Sequence, residues 1–208
     1  FFSQMPAYKL LYFNIMGLGE TIRYMLSYLG EDFEDNRIYD YHEWLREIKQ
    51  KMPFGKLPLL EIDDKKVHQT IAICRYLGKK AKLVGDNDWE DLEIDIIIDT
   101  LSDFRSAIWS YFYNRDEENK KRVKEPLFNV TIPLYLGKFD NIIKENGYLA
   151  NGKLSWADIY FVAILEYFSF MIEQDIVANY ENIRQLRDKI HSIPNIKKWI
   201  NKRPKSNW

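Results

Sequence analysis

The residues of this 208-residue chain whose types invite a chemical explanation lie in Met52-Pro53-Phe54-Gly55-Lys56-Leu57-Pro58-Leu59-Leu60-Glu61. A proline at the head of an apolar strand cannot donate to a sheet ladder. If the peptide before Pro58 is cis, the Leu57 backbone stays open to pair with an extended ligand. A proline that merely starts a strand reads equally well from this segment alone. Other spacings fail one by one. Gly17-Leu18-Gly19 opens a helix after a strand, but the third glycine of a dinucleotide-binding turn falls on Ile22. His42, His68, His191 and Cys74 have no metal-ligand spacing. Asp86-Asn87-Asp88 begins like a calcium loop and lacks its glycine and terminal glutamate. There is no Gly-x-Ser-x-Gly elbow and no phosphate loop, and Lys120–Lys124 reads as a solvated helix face. Tyr8 and Tyr12 carry hydroxyls within an apolar strand, where core is the default reading for both.

The elements that would position these residues change character partway along the chain. Tyr8–Asn14 reads as a buried strand. Ile22, Met25, Leu26 and Leu29 follow at helical spacing, with Gly30 where a C-cap belongs. Phe33–Ile38 alternates as a short strand, and His42–Lys51 is a polar, helix-compatible stretch carrying Trp44. Leu59–Ile62 and Lys65–His68 flank Asp63-Asp64 as a hairpin, and Thr70–Lys80 returns to helix. The sum is βαβαββα, a small α/β unit. Beyond the polar linker 83–88 the strand signals vanish. Trp89–Tyr113 is one long helical pattern with Ile94, Ile97, Ile98, Leu101, Phe104 and Ile108 inward. Residues 120–145, 155–172 and 181–193 read the same way, and Ser155-x-x-Asp158 has the form of a capping box. The domains expected are 5–83 and an all-helical 84–208.

Composition narrows the function classes. Thirty basic residues against 31 acidic leave a formal charge of −1, without a global field for nucleic acid or an anionic membrane. Apolar runs such as Phe161–Leu165 are far short of the ~20 residues that span a bilayer. Cys74, the only cysteine, lies between apolar residues of a helix and reads as a packed thiol, which with the lack of any disulfide points to a reducing, cytoplasmic setting. The opening four residues are too short for a signal peptide, with Met5 a candidate start, and the sequon Asn129-Val130-Thr131 means nothing in such a compartment.

Six segments in register resemble sigma-class cytosolic glutathione transferases, a class that includes arthropod enzymes and the vertebrate haematopoietic prostaglandin D synthase. They are Tyr8-Lys9-Leu10-Leu11-Tyr12-Phe13, the 52–58 loop, His68-Gln69-Thr70-Ile71-Ala72-Ile73-x-Arg75-Tyr76-Leu77, Asp99-Thr100-Leu101-Ser102-Asp103-Phe104, Ser155-Trp156-Ala157-Asp158 and Lys202-Arg203-Pro204. The resemblance runs from about Met5 to Trp208. It implies a thioredoxin-like domain followed by a helical one, and a hydroxyl that holds the sulfur of glutathione as thiolate. It puts that hydroxyl on Tyr12, near the end of the first strand, and leaves Tyr8 to packing. A free thiol ionises near about 8.5, so lowering it by about two pH units needs roughly 2.7 kcal/mol. A hydrogen bond to a charged acceptor contributes roughly 1.5–3 kcal/mol, so one hydroxyl aided by a helix N-terminus is about enough.

Carried over residue by residue, the glutathione site is Tyr12, Phe13, Trp44, Lys49, Gly55, Lys56, Leu57, Pro58, Gln69 and Thr70, with Asp103 supplied by the partner subunit of a homodimer. The lysines would meet the glycyl carboxylate, the Leu57 backbone the cysteinyl moiety, and Gln69 and Thr70 the γ-glutamyl end. Lys49 and Asp103 also read as ordinary helix surface. Phe13, Arg105, Trp109, Tyr160 and Trp208 are candidates for a hydrophobic electrophile in an apolar cleft between the halves, lipid-peroxidation products being the favoured class. Arg105 would either polarise a carbonyl or form a salt bridge. Departures are Leu18, an arginine in the vertebrate synthase, two single-residue insertions bracketing Trp44, and Ser102 in place of one acid of that synthase's metal-binding cluster. No functional metal and no permanently bound cofactor are expected, glutathione being a co-substrate, and neither nucleic acid nor membrane is an expected partner. The rival readings are prostaglandin H to D isomerisation and a crystallin-like binding protein of low activity. A glutaredoxin-like reductase would need a cysteine where Tyr12 stands.

Overall fold

A computed structural model of the chain describes residues 8–205. They form two compact units: the residues up to Lys82 together with those from Ile193 onward, and Leu83–Ser192.

The first unit realises the βαβαββα order with β1 (Tyr8–Phe13), α1 (Gly17–Leu29), β2 (Phe33–Ile38), β3 (Leu59–Ile62), β4 (Lys65–His68) and α3 (Thr70–Lys80). The sheet runs β2-β1-β3-β4. β1 pairs parallel with β2 and antiparallel with β3, and β3 pairs antiparallel with β4. Tyr8, Leu10 and Tyr12 alternate inward along β1. Gly30 ends α1 at φ 74, and its N–H returns to the carbonyls of Leu26 and Ser27, the C-cap its position implied. Asp63 and Asp64 turn the hairpin with φ of 46 and 66, the two positive values of a type I′ turn.

Between β2 and β3 the helix-compatible stretch takes a less regular form. A short α2 (Tyr41–Glu43), capped by the Asp40 carboxylate, passes into a π turn at Trp44–Ile48 and a 3₁₀ turn at Lys49–Lys51. A π turn holds one more residue per closed hydrogen bond than an α turn, the local form that a single-residue insertion takes. The resemblance to the sigma class implies such insertions beside Trp44.

The last helix, α9 (Pro194–Lys202), packs on α1 in the first unit. The Trp199 ring lies tilted at 5.3 Å from Phe33, and its Nε1–H donates to Glu20 at 2.8 Å. The helical pattern 181–193 stops earlier, at His191. Pro194 cannot continue that helix and starts the next one from its first turn.

In the second unit α4 (Asp88–Phe112) begins at Asn87, whose side chain accepts from the N–H groups of Trp89 and Glu90. Its buried residues are the six expected, Ile94, Ile97, Ile98, Leu101, Phe104 and Ile108. The run 120–145 is helical throughout but not uniform: α5 (Glu117–Pro126) passes into a π turn over Leu127–Thr131 and on into α6 (Ile132–Asn146), which has a proline in its first turn. A proline inside a helix removes one hydrogen bond and crowds the preceding carbonyl, so the irregularity is local chemistry. α7 (Trp156–Ile172) is buried on nearly every side, and α8 (Glu181–His191) buries Ile183, Leu186 and Ile190. The Ser155/Asp158 capping box forms, and the Asp158 carboxylate also accepts from Leu149 N–H at 2.8 Å. No helix among the described residues is long and apolar enough to cross a membrane.

Candidate functional site

Strand register gathers the first unit's candidate residues at one end of the sheet. Leu11 of β1 faces Leu59 of β3, and Leu59 faces His68 of β4. One step further along those ladders come Tyr12, Pro58 and Gln69. The Leu57–Pro58 peptide is cis, as the apolar strand headed by proline suggested. Pro58 is buried, while Leu57 stays half-buried.

Tyr12 is 6% exposed, and its hydroxyl oxygen accepts the backbone N–H of Leu18 at 3.2 Å. That N–H belongs to the first turn of α1, where Met16 offers no side-chain cap. The phenol oxygen therefore sits at the positive end of a helix, and accepting one hydrogen bond makes its own O–H a stronger donor. Two glycines permit the approach. A Cβ on Gly17 would lie 2.9 Å from the Tyr12 hydroxyl oxygen, and one on Gly19 would lie 2.5 Å from the ring. Arg23 approaches the same ring, its guanidinium carbon 5.9 Å from the centroid. Tyr8, by contrast, is 1% exposed and accepts a hydrogen bond from Lys80.

Phe13 meets Trp44 edge-on at 5.3 Å and lies 6.4 Å from Tyr41, which anchors the π turn to the end of β1. Trp44 itself is buried. Lys49 is exposed, and its side chain runs past Gly55, whose added Cβ would meet Lys49 Cε at 3.4 Å. Lys49 thus lies over the turn that carries Gly55 (φ 60) and the exposed Lys56. Gln69 is exposed and holds φ 74, ψ 103 just before α3. A non-glycine residue held at positive φ persists only where the surroundings over-determine it, commonly at a ligand site. Thr70, 6% exposed, opens α3, where free N–H groups favour a carboxylate.

The second unit holds Asp103, Arg105, Trp109 and Tyr160. Asp103 is exposed on α4. One turn apart on α4, Arg105 lies 5.0 Å over the Trp109 ring, and its Nη2 donates to Ser102 at 3.3 Å. Arg105 Nε and Trp109 Nε1 are buried donors without a hydrogen-bond partner among the described residues. Buried donors are rarely left unpaired in a native protein, so two neighbours in that state call for an acceptor. Tyr160 is 2% exposed and packs edge-on to Trp156, which makes its ring part of the helical core. Trp208 lies outside the described residues. Cys74 is fully buried, and burial pushes its thiol up to about 12 against a hydrogen bond to Thr21, the inert thiol its neighbours suggested.

A mixed four-stranded sheet with βαβαββα connectivity, followed by a helical unit, is the thioredoxin-like domain and helical partner domain of glutathione S-transferases. Family models of the glutathione S-transferase N-terminal and C-terminal domains match residues 8–79 and 102–203. A glutathione S-transferase of Anopheles gambiae is 43% identical over 201 residues, covering 96% of this chain and 98% of that one. The hematopoietic prostaglandin D synthase of Homo sapiens is 37% identical over 207 residues, covering 97% and 99%. The solved structure of prostaglandin synthase D of Nilaparvata lugens superposes with a TM-score of 0.91 at 55% identity, covering 97% of this chain and all of that one. The chain belongs to the glutathione S-transferase family and is a transferase.

Sequence reasoning missed three features of the site. The Gly17–Leu18–Gly19 turn was tested as a nucleotide motif, although its glycines serve to admit the Tyr12 ring. Arg23 carries no sequence signal of its role, because a charged residue on a helix reads as surface. The π turn under Trp44 had a signal, the insertions, but no pattern in a single sequence distinguishes a π turn from an α turn.

Proposed function

We propose that the protein is a sigma-class transferase in which Tyr12 donates its hydroxyl hydrogen to the sulfur of bound glutathione. The observation that carries this is the position of the Tyr12 oxygen on the first turn of α1, 3.2 Å from Leu18 N, at the sheet end shared with the cis-proline loop and Gln69. The thiol loses its proton to solvent while Tyr12 keeps its own, so the hydrogen bond and the helix terminus stabilise only the charged sulfur. The thiolate then attacks a small hydrophobic electrophile. Gln69 and Thr70 receive the γ-glutamyl end, the Leu57 backbone pairs with the cysteinyl unit, and Lys49 and Lys56 meet the glycyl carboxylate. Phe13, Trp44, Gly55 and Pro58 shape the walls.

Arg105 and Trp109 offer their unpaired N–H groups to an oxygen of the electrophile, which fits the carbonyl of a lipid-peroxidation product. Conjugate addition to such an enal forms the carbon–sulfur bond at the β-carbon as the α,β π bond breaks. The carbonyl oxygen accumulates the negative charge that those donors stabilise, and the α-carbon then takes a proton from solvent. Tyr160, as a core ring, has no direct part in this reading.

A homodimer, with Asp103 reaching the γ-glutamyl amine of the partner's glutathione, is supported by exposed apolar surface. Phe54 is 85% exposed, and a surface pocket of about 470 Å³ is lined by Val67, Ala72, Ile73 and Tyr76 among others. An apolar patch of this kind on a soluble protein marks an interaction surface. A cytoplasmic location agrees with the buried, unpaired Cys74.

Tyr12→Phe tests the proposal. Turnover of a chromogenic electrophile is expected to fall tenfold or more, as about 1.4 kcal/mol or more of transition-state stabilisation is lost, while retention on glutathione-agarose survives. Wild-type turnover in the variant would refute the assignment, and retention without any conjugation by the parent protein would favour the binding-protein reading. The second reading, isomerisation of prostaglandin H to D, is favoured by the relatives that carry a prostaglandin synthase name. It is decided by product analysis with prostaglandin H as substrate.

A further inference from the structure

The ending Lys202-Arg203-Pro204, singled out in the sequence, has no part in the glutathione site as described. Arg203 follows the last turn of α9, yet its Nη1 donates to Glu20 Oε1 at 2.9 Å across 183 positions of chain. Glu20 is 1% exposed and lies in the first turn of α1. It also accepts from Trp199 Nε1 at 2.8 Å and from Arg23 Nη1 at 3.0 Å. Burial alone would raise the Glu20 carboxyl, but Arg23 and Arg203, with the Trp199 and Arg203 hydrogen bonds, hold it below the usual carboxylate range.

Arg23 is the hinge of this cluster. It is 0% exposed, its Nε donates to Asp35 of β2 at 2.8 Å, and its Nη1 donates to the Ile15 carbonyl at 3.0 Å. That carbonyl belongs to the turn between Tyr12 and the start of α1, so Arg23 fixes the helix terminus on which the Tyr12 oxygen rests. Arg23 Nη2 is buried without a hydrogen-bond partner among the described residues. Asp35 is shared with Arg37, 2.7 Å away. Arg23, Arg37 and Arg203 thus share Glu20 and Asp35 among the described residues, in a largely buried setting where screening by solvent is weak.

We infer that Arg203 is a positioning residue for Tyr12, acting through Glu20 and Arg23, so that the end of α9 helps set how strongly the active hydroxyl favours a thiolate. The inference rests on the Tyr12 reading above. Without the Arg203 charge, Glu20 is matched by Arg23 alone. The cluster loses a positive charge, Arg23 is drawn toward Glu20 and away from the Ile15 carbonyl, and the positive field beside the Tyr12 ring weakens. Loss of the Glu20 charge has the opposite sign, since it leaves Arg23 less compensated.

The test is a titration of glutathione bound to the whole protein, following thiolate absorbance, together with the pH profile of kcat/KM. Arg203→Gln keeps a donor and removes the charge. It is expected to raise the midpoint by about half a pH unit, a loss of about threefold in kcat/KM below the midpoint that closes at high pH. Arg203→Lys is expected to restore the wild-type midpoint, and Glu20→Gln to move it downward. General disruption of the fold would move both Gln variants in the same direction, so opposite shifts support the inference even if one variant is less stable. An unmoved midpoint in Arg203→Gln, or an upward shift in Glu20→Gln, overturns it. Tyr12→Phe is run in parallel. If it raises the midpoint and Arg203→Gln does not, only the inference fails; if it leaves the midpoint in place, the Tyr12 reading fails with it.

Discussion

Gly19→Ala adds one methyl group to the protein and puts it 2.5 Å from Cδ1 and 2.8 Å from Cγ of the Tyr12 ring. Carbon atoms pack best at about 3.5–4.0 Å, so roughly 1 Å of overlap must be relieved. The ring is 6% exposed in a central strand and cannot swing away freely. Either the start of α1 lifts or Tyr12 turns, and both motions lengthen the 3.2 Å hydrogen bond from Leu18 N. Overpacking costs about 1–3 kcal/mol, while alanine in a helix is favoured over glycine by about 1 kcal/mol, so net destabilisation is only about 0–2 kcal/mol. Catalysis is more sensitive, because about 1 Å of misplacement can lower a rate about a hundredfold. The expected result is a folded protein of nearly normal melting temperature whose kcat/KM with a chromogenic electrophile falls at least tenfold. Gly137→Ala is the control. Gly137 lies within α6 with nothing inside 4 Å of an added Cβ. That variant is expected to gain up to about 1 kcal/mol with unchanged turnover. Wild-type kcat/KM in Gly19→Ala would show that the approach of α1 to the ring does not position the hydroxyl.

Two further outcomes follow from buried groups of the second unit. Burial raises the Asp158 carboxyl from 3.8 to about 6, against hydrogen bonds from Leu149 N–H and from the Ser155 N–H and hydroxyl. Between those pH values the folded protein holds a proton that the unfolded chain has lost, so this contribution to stability is complete below about pH 4 and declines as pH rises through 6. Urea unfolding of Asp158→Asn should lack that decline, and Asp158→Ala, which leaves the Leu149 and Ser155 N–H groups without an acceptor, should cost about 3–5 kcal/mol at pH 4 and less as pH rises through 6. Arg105→Leu should lower the ratio of kcat/KM for an enal to that for an alkyl halide about tenfold, the worth of one hydrogen bond; an unchanged ratio would remove Arg105 from the electrophile site.

Local patterns disclosed the elements whose cause is local. The Asp63-Asp64 turn, the Gly30 cap, the inward face of α4 and the Ser155/Asp158 box each depend on residues within a few positions of one another, and each appears where the spacing puts it. The failures have equally physical reasons. Pro126 and Pro133 flank a π turn inside the helical run 120–145, and Pro194 separates α9 from α8. For the site, the cis peptide was legible only as one of two equal readings, since a proline can also simply start a strand. The choice between Tyr8 and Tyr12 was not, since both lie on the buried face of β1, 1% and 6% exposed. What separates them is which end of the strand meets α1, a fact of topology; the family resemblance pointed to Tyr12 before any geometry did.

The charges of α1 are a further case in which distant partners decide what a local pattern cannot. Ile22, Met25, Leu26 and Leu29 mark one apolar face, and Glu20 and Arg23 then fall where solvent is expected. In the structure every residue from Gly17 to Ser27 is buried. An isolated carboxylate or guanidinium in such a place would be expelled or discharged. Here each is retained because its compensation arrives from elsewhere: Asp35 from β2, Trp199 from α9, and Arg203 just beyond it. Once buried, the groups cannot be removed singly without leaving a charge unpaired, which ties the last helix to the turn that carries the Tyr12 oxygen. Covering α1 with α9 therefore does more than bury apolar surface. It sets the charge balance around the phenol, so a change at residue 203 is expected to be read in the ionisation of a thiol bound near residue 12.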